Sequence, residues 1–237
     1  VDKPKSTNGA YFYDGQRGWV FNWSEGAQTI WYEEKGVKPW TPEERRKWSE
    51  KKAQDSAERD KKQNQVATDA AYVIKAAKLE AHDYLHLKGF PDLKMPVMNK
   101  ILLVPMRNVV TNKVQGYQQI YWDMLTRKWE KKMLTGMRAK NAVLYMGNRE
   151  ASEAWLVEGL ATGLSVHAAL RSVGLDASVV VCFSASNLVQ VADQIPGRRF
   201  VFADNDESHT GEKAAAQTGL SYAMADTVGW DANDLHK

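Results

Sequence analysis

A chain of 237 residues, 43% hydrophobic and 26% charged, with a formal net charge of +3, has room for one or two compact domains. No run approaches the roughly 20 apolar residues of a membrane span, and residues 1–10 carry no signal-peptide pattern, so a cytoplasmic protein without a membrane partner is expected. The single cysteine, Cys182, lies inside the apolar run 179–183; it reads as a reduced core residue and excludes a cysteine-rich zinc site.

Residues 1–40 alternate aromatic and polar positions: Tyr11, Tyr13, Trp19, Phe21, Trp23, Trp31 and Tyr32. With turn signals at Asp14-Gly15 and Glu25-Gly26, they predict a small antiparallel sheet. Most of the aromatics are expected to form its core; their other use is stacking on single-stranded bases. Thr41-Pro42-Glu43-Glu44 is a capping box with proline at the first helical position, and predicts a helix to about Lys78. Its first half balances basic against acidic side chains with few apolar positions, so it reads as an exposed spacer. From Val66 onward, alanines with Val73, Ile74 and Leu79 give a packing stripe. His82 and His86 stand four apart, but no further ligand follows at metal spacing, so they read as helix-end surface histidines.

Residues 101–106, 114–122 and 142–146 predict strands of a mixed β subdomain. Residues 94–140 hold ten Lys or Arg against Asp123 and Glu130, a local net of +8. Residues 141–237 hold six basic and twelve acidic side chains, a local net of −6. A basic wall beside an acidic floor suits a cleft that holds a nucleic-acid backbone over a metal. From 153 onward, strands at 155–157, 179–183, 200–203 and 222–225 alternate with helices at 160–172, 186–194 and 210–219, which implies a parallel sheet. No GxxxxGK[ST] phosphate loop occurs, so the chain supplies no Walker-type ATPase.

Glu158 directly follows the apolar run 154–157; Asp204 and Asp206 directly follow the run 200–203. Groups at the C-terminal ends of parallel strands converge on the ligand crevice of an open α/β sheet. Carboxylates gathered there repel one another and call for a cation. Hard oxygen ligands favour Mg²⁺, with Mn²⁺ as the other option, and such a cation bridges to substrate phosphates.

The same residues carry a resemblance. Val157-Glu158-Gly159-Leu160-Ala161-Thr162-Gly163-Leu164-Ser165-Val166-His167 resembles a Glu-Gly-x-Ala-Thr-x-x-Ser-x-His stretch of phage and plasmid primases. Phe183-Ser184-Ala185-Ser186-Asn187-Leu188 is similar to their Phe-Asp-Ala-Gly-Asn-Leu, and Asn233-Asp234-Leu235 to their Asn-Asp-Leu. Upstream, Ile101 to Arg107 and Lys113-Val114-Gln115-Gly116-Tyr117 resemble blocks of the primase polymerase core. The resemblance covers about residues 83–237 and implies the Toprim domain, a Rossmann-like parallel sheet with helices. It would be preceded by a basic mixed β subdomain (83–145), a charged helix (41–82) and the small antiparallel unit (1–40), with the Toprim domain itself at 146–237.

The resemblance further implies a DNA primase that makes short RNA primers in phage or plasmid replication. Its partners would be a single-stranded DNA template, ribonucleoside triphosphates and a replicative helicase, separate or fused. Glu158, Asp204 and Asp206 would be catalytic. Metal would be held by Glu158, Asp204, Asp206 and Asp234, with Asp231 as the alternative to Asp234 and Glu158 either a ligand or the general base. Arg107, Lys113, Arg138, Lys140 and Lys213 would contact nucleotide or DNA phosphates. Two departures stand out: no Cys/His zinc ribbon, hence no zinc, and Gln118-Gln119-Ile120 where a Gly-Gly-Arg would follow Gly116-Tyr117. A Toprim nuclease and a non-catalytic nucleic-acid-binding Toprim module are the alternatives.

Overall fold

The computed structural model describes residues 9–22, 29–36 and 38–237. The chain divides into two compact units, 1–56 and 57–237.

In the first unit, β1 (Gly9–Tyr13), β2 (Arg17–Asn22) and β3 (Thr29–Glu33) form a three-stranded antiparallel sheet. The first turn forms as expected: Gly15 takes φ +99°, and Asp14 Oδ1 accepts the backbone N–H groups of Gln16 (2.9 Å) and Arg17 (2.7 Å). The turn expected at Glu25-Gly26 lies outside the described residues, as does Trp23. Tyr11, Phe12, Tyr13, Trp31 and Tyr32 are all exposed, where most of the aromatics were expected to be core. Three short strands bury little of either face, so bulky rings stay at the surface. The capping box is present: Thr41 N donates to Glu44 Oε2 (2.8 Å) and Glu44 N to Thr41 Oγ1 (3.2 Å).

α1 (Pro42–Ala76) begins in the first unit and ends in the second. Within the second unit, Ala70 is fully buried, and Val73 and Ile74 pack with it on Leu103 and Tyr117. The spacer helix is therefore anchored near its C-terminal end by Val73 and Ile74 of the stripe read from the sequence, but it stops at Ala76, short of Lys78, and Leu79 lies beyond it, exposed. A short β4 (Lys78–Glu80) and α2 (Asp83–Leu87) follow. His82 caps α2: its Nδ1 accepts Tyr84 N (3.2 Å) while Nε2 meets the Lys100 carbonyl (3.1 Å). Both ring nitrogens are thus committed to backbone, which requires the Nε2–H tautomer.

Next come β5 (Met95–Met98), β6 (Ile101–Asn108), β7 (Val114–Asp123), β8 (Lys128–Met133) and β9 (Ala142–Met146), all antiparallel to their neighbours. The C-terminal part is β10 (Glu153–Val157), α3 (Leu160–Ser172), β11 (Ser178–Val181), α4 (Ala185–Ala192), β12 (Arg198–Ala203), α5 (Thr210–Gln217), β13 (Ser221–Met224) and α6 (Ala232–His236). β11, β10, β12 and β13 run parallel in that order, and the antiparallel β9 joins β11 to β6. A single ten-stranded mixed sheet results. This is the α/β class expected, with a parallel C-terminal half and an antiparallel basic half.

The parallel strands read as continuous apolar runs because both faces are covered. Val157, Val179 and Val181 pack into one core with α3, whereas Leu156, Val180 and Val201 pack into the other with α4 and α5. Gly163 is needed for this: a Cβ there would lie 2.6 Å from Val181 Cγ2 and 3.2 Å from Val157 Cγ2. Among the described residues, no helix is long and apolar enough to cross a membrane.

Candidate functional site

Parallel registry brings the strand ends together. Val157 of β10 pairs with Phe202 of β12 and with Val181 of β11. Glu158 and Asp204 therefore leave adjacent strands on the same edge, as the sequence pattern predicted. Gly159 is the N-cap of α3. A Cβ at Gly159 would meet only Thr162 Oγ1, at 3.6 Å, so no close backbone approach requires a glycine there. A close backbone approach occurs at Gly211, whose Cβ would fall 2.3 Å from the Asp204 carbonyl oxygen.

Thr162, buried on the first turn of α3, faces two carboxylates: Asp231 Oδ2 at 3.1 Å and Asp204 Oδ1 at 3.4 Å. One hydroxyl proton cannot satisfy both at once. Burial, and then the neighbouring Asp231, push the Asp204 carboxyl up to about 6, although the Thr162 hydroxyl partly offsets this. Glu158 is also raised, first by burial and then by Asp204 and Asp206; the Ala185 N–H and Lys131 oppose the shift. These are two half-buried carboxylates whose mutual repulsion is incompletely compensated.

Asp206 stands apart. Its Oδ1 accepts Ser208 N (2.8 Å), Thr210 N (3.2 Å) and the Ser208 hydroxyl, and its Oδ2 accepts Gly211 N (3.1 Å). The Ser208 hydroxyl, with the Gly211, Thr210 and Ser208 N–H groups, holds its carboxyl down to about 2. Most of its lone pairs are spent on shaping the loop that leads into α5, which Lys213 braces through the Ser208 carbonyl (3.1 Å). Between the two aspartates, Asn205 is buried and donates to the Ala225 carbonyl (2.9 Å), tying β12 to the segment before α6.

The two late aspartates separate clearly. Asp231 is the N-cap of α6, accepting Asn233 N (2.6 Å) and Asp234 N (3.1 Å) on Oδ1 while Oδ2 faces Thr162. Asp234 is exposed and accepts Asp231 N (3.1 Å), closing the capping box. Of this pair it is Asp231 that lies beside Asp204.

The predicted basic contacts do not all face this edge. Arg138 is held by Asp60 (2.7 Å) and Gln63 (2.9 Å) of α1. Lys113 lines the same cavity as Arg138, beside α1. Arg107 donates to the Asn112 carbonyl in its own turn (3.1 Å), and Lys140 is exposed. Lys131 of β8 is a cation whose field reaches both Glu158 and Asp204, as a minor influence on each, and it also lies 5.6 Å from the Tyr84 ring centre. Sequence reading counted Lys131 among the basic residues without singling it out; its alternation on β8 was the available signal. Thr162, Asn205 and Phe183 were also missed as site residues. Phe183 adopts φ +65°, a strained conformation for a bulky residue, and donates its N–H to the Glu158 carbonyl (2.8 Å).

Among the described residues, no three His, Cys, Asp or Glu side chains are grouped closely enough to enclose a metal ion. Magnesium does not require such a cage, since it takes one or two carboxylates and completes its shell with waters and substrate phosphates. Glu158 and Asp204, half-buried, mutually repelling and hard-oxygen in character, match that demand. Cys182 is fully buried and its thiol is pushed far up, which removes it as a ligand or nucleophile.

No family model matches the chain, and no curated protein matches it. Among solved structures, one described as the structure of the DnaG catalytic core aligns over 57% of this chain and 47% of that one, with a TM-score of 0.39 and 17% sequence identity. The chain thus spans about half the length of that structure.

Proposed function

We propose that this chain is a primase-type nucleotidyltransferase, joining ribonucleotides on a single-stranded DNA template in phage or plasmid replication, with a replicative helicase as partner. The observation that carries the reading is the placement of Glu158 and Asp204 on adjacent parallel strand ends, with Asp231 against Asp204 and Lys131 as the opposing cation. The sequence blocks around Glu158, Phe183, Arg107 and Asn233 supply the family character.

Glu158 and Asp204 would hold Mg²⁺ or Mn²⁺, with Asp231 beside them. A bound cation would lower the pKa of an attacking 3′-hydroxyl and neutralise charge on the transferring phosphate. The protein's own groups do the rest. Thr162 fixes the Asp204 and Asp231 carboxylates relative to each other. Asp206 and Gly211 set the loop that aims Asp204. Lys131 offers a positive charge to a phosphate at the edge of the site, whereas Lys128 and Lys132 alternate onto the other face of β8.

Incubating the purified chain with single-stranded DNA, four ribonucleotides (one labelled) and Mg²⁺ or Mn²⁺ tests the proposal. Short labelled RNA, absent with Glu158→Gln, is expected. Degraded template would make the chain a Toprim nuclease; intact template and no RNA, with DNA still bound, would make it a binding module.

A further inference from the structure

A groove of about 880 Å³ lies in the first unit and plays no part in the chemistry above. Phe12 pairs with Trp19 across β1 and β2, and Trp19 pairs with Trp31 across β2 and β3. Directly opposed residues project from the same face of a sheet, so the three rings form one row across all three strands. Phe12 is 51% exposed and Trp31 69% exposed. Trp40 and Trp48, packed edge to face with ring centres 5.7 Å apart, line the same groove.

An exposed aromatic row on a small sheet is costly to keep solvated, which makes it a candidate binding surface. The charges lining it decide what binds. Glu33 is paired with Arg17 at 2.5 Å, and Asp14 is held by the backbone N–H groups of its own turn. Glu33 is therefore ion-paired, and Asp14, still anionic, has its Oδ1 turned onto the backbone of its own turn. Arg17 is spent as well, on Glu33 and over the Trp40 ring at 5.2 Å. Among the described residues Arg45 remains as the lining cation whose side chain has no partner. Stacking surfaces plus an uncommitted cation match bases on an anionic backbone.

We infer that the Phe12–Trp19–Trp31 face of the N-terminal sheet binds single-stranded nucleic acid by base stacking, with Arg45 meeting the backbone. The inference stands on the first unit alone and is independent of nucleotidyl transfer. Row stacking is sequence-tolerant, because every base presents a π-face. The groove therefore selects for an unpaired strand, not for a particular sequence.

The test uses the full chain and fluorescein-labelled dT12, followed by anisotropy at several salt concentrations, with far-UV circular dichroism on each variant. Trp31→Ala is expected to weaken binding about tenfold, with little change in salt slope, because stacking releases few counterions. Trp31→Phe keeps a stacking ring, so affinity should hold while dT12-induced quenching of tryptophan fluorescence falls. Arg45→Ala should shallow the salt slope. Parent-like dT12 affinity in both Trp31→Ala and Phe12→Ala, or quenching unchanged in Trp31→Phe, would overturn the inference. So would a decaproline peptide that quenches the same tryptophan when dT12 does not, since the groove would then take polyproline helices.

Discussion

Thr162 sits between two carboxylates with one proton to give, and much of the site's behaviour follows from that shortage. Asp204 titrates at about 6 in the fold against 3.8 for an ordinary aspartate. The folded protein therefore holds this proton more tightly than the unfolded chain does. The contribution of Asp204 to stability is best below about pH 4 and is lost as pH rises through about 6. Thermal midpoints measured from pH 4 to 7 should show this decline, and Asp204→Asn should flatten it while being no less stable than the parent at pH 7. A parent curve without the decline would mean that the carboxylate is not crowded. Asp206 has the opposite sign: its carboxyl, held at about 2, stabilises the fold above about pH 4, and that contribution fades as pH falls towards 2. A second residue-scale prediction concerns Tyr84, whose buried hydroxyl has no hydrogen-bond partner among the described residues. Tyr84→Phe removes an unsatisfied group, so urea unfolding should show unchanged stability or a gain of up to about 1 kcal/mol. A loss above that would reveal a partner for the hydroxyl.

At the scale of elements, the loop from β12 to α5 is the most constrained piece. Gly211 leaves no room for a Cβ against the Asp204 carbonyl, so Gly211→Ala must displace the loop that Asp206 organises. Activity should fall at least tenfold in a protein that still melts cooperatively; parent-like activity would mean that the loop does not aim Asp204. The β7–β8 ribbon is the other element that the proposed function uses. Lys131→Ala should weaken single-stranded DNA binding and reduce its salt slope by about one, whereas Arg138→Ala should leave the slope nearly unchanged. Arg138 is committed to α1, and an exposed pair of that kind contributes at most about 1 kcal/mol. These elements also mark what could be read from the sequence. The parallel strands were legible because burial on both faces leaves uninterrupted apolar runs, and the acidic residues at their ends were legible by position alone. β8 was not: Lys-Trp-Glu-Lys-Lys-Met is an edge strand, and edge strands carry charge that hides the strand signal. The choice between Asp231 and Asp234 was equally hidden. Both suit a capping box by type, and only the packing of α6 on α3 puts Asp231 against Thr162.

Across the whole molecule, charge is sorted by segment. The antiparallel half carries the basic residues and the parallel half the acidic ones, and the single mixed sheet joins them through the β9 pairings with β6 and β11. One sheet thereby places a cation of β8 within electrostatic reach of carboxylates on β10 and β12. Sequence reading captured this sorting but not the identity of the facing cation, because register and side-chain direction decide it. The central claim is that the Glu158–Asp204–Asp231 edge carries out nucleotidyl transfer. Labelled-ribonucleotide incorporation on single-stranded DNA, compared across Asp204→Asn, Asp231→Asn and Asp234→Asn at matched folding, tests it most directly. The account predicts RNA from the parent, at least hundredfold less from Asp204→Asn and Asp231→Asn, and near-parent synthesis from Asp234→Asn. Full synthesis by Asp204→Asn, or loss confined to Asp234→Asn, would contradict it.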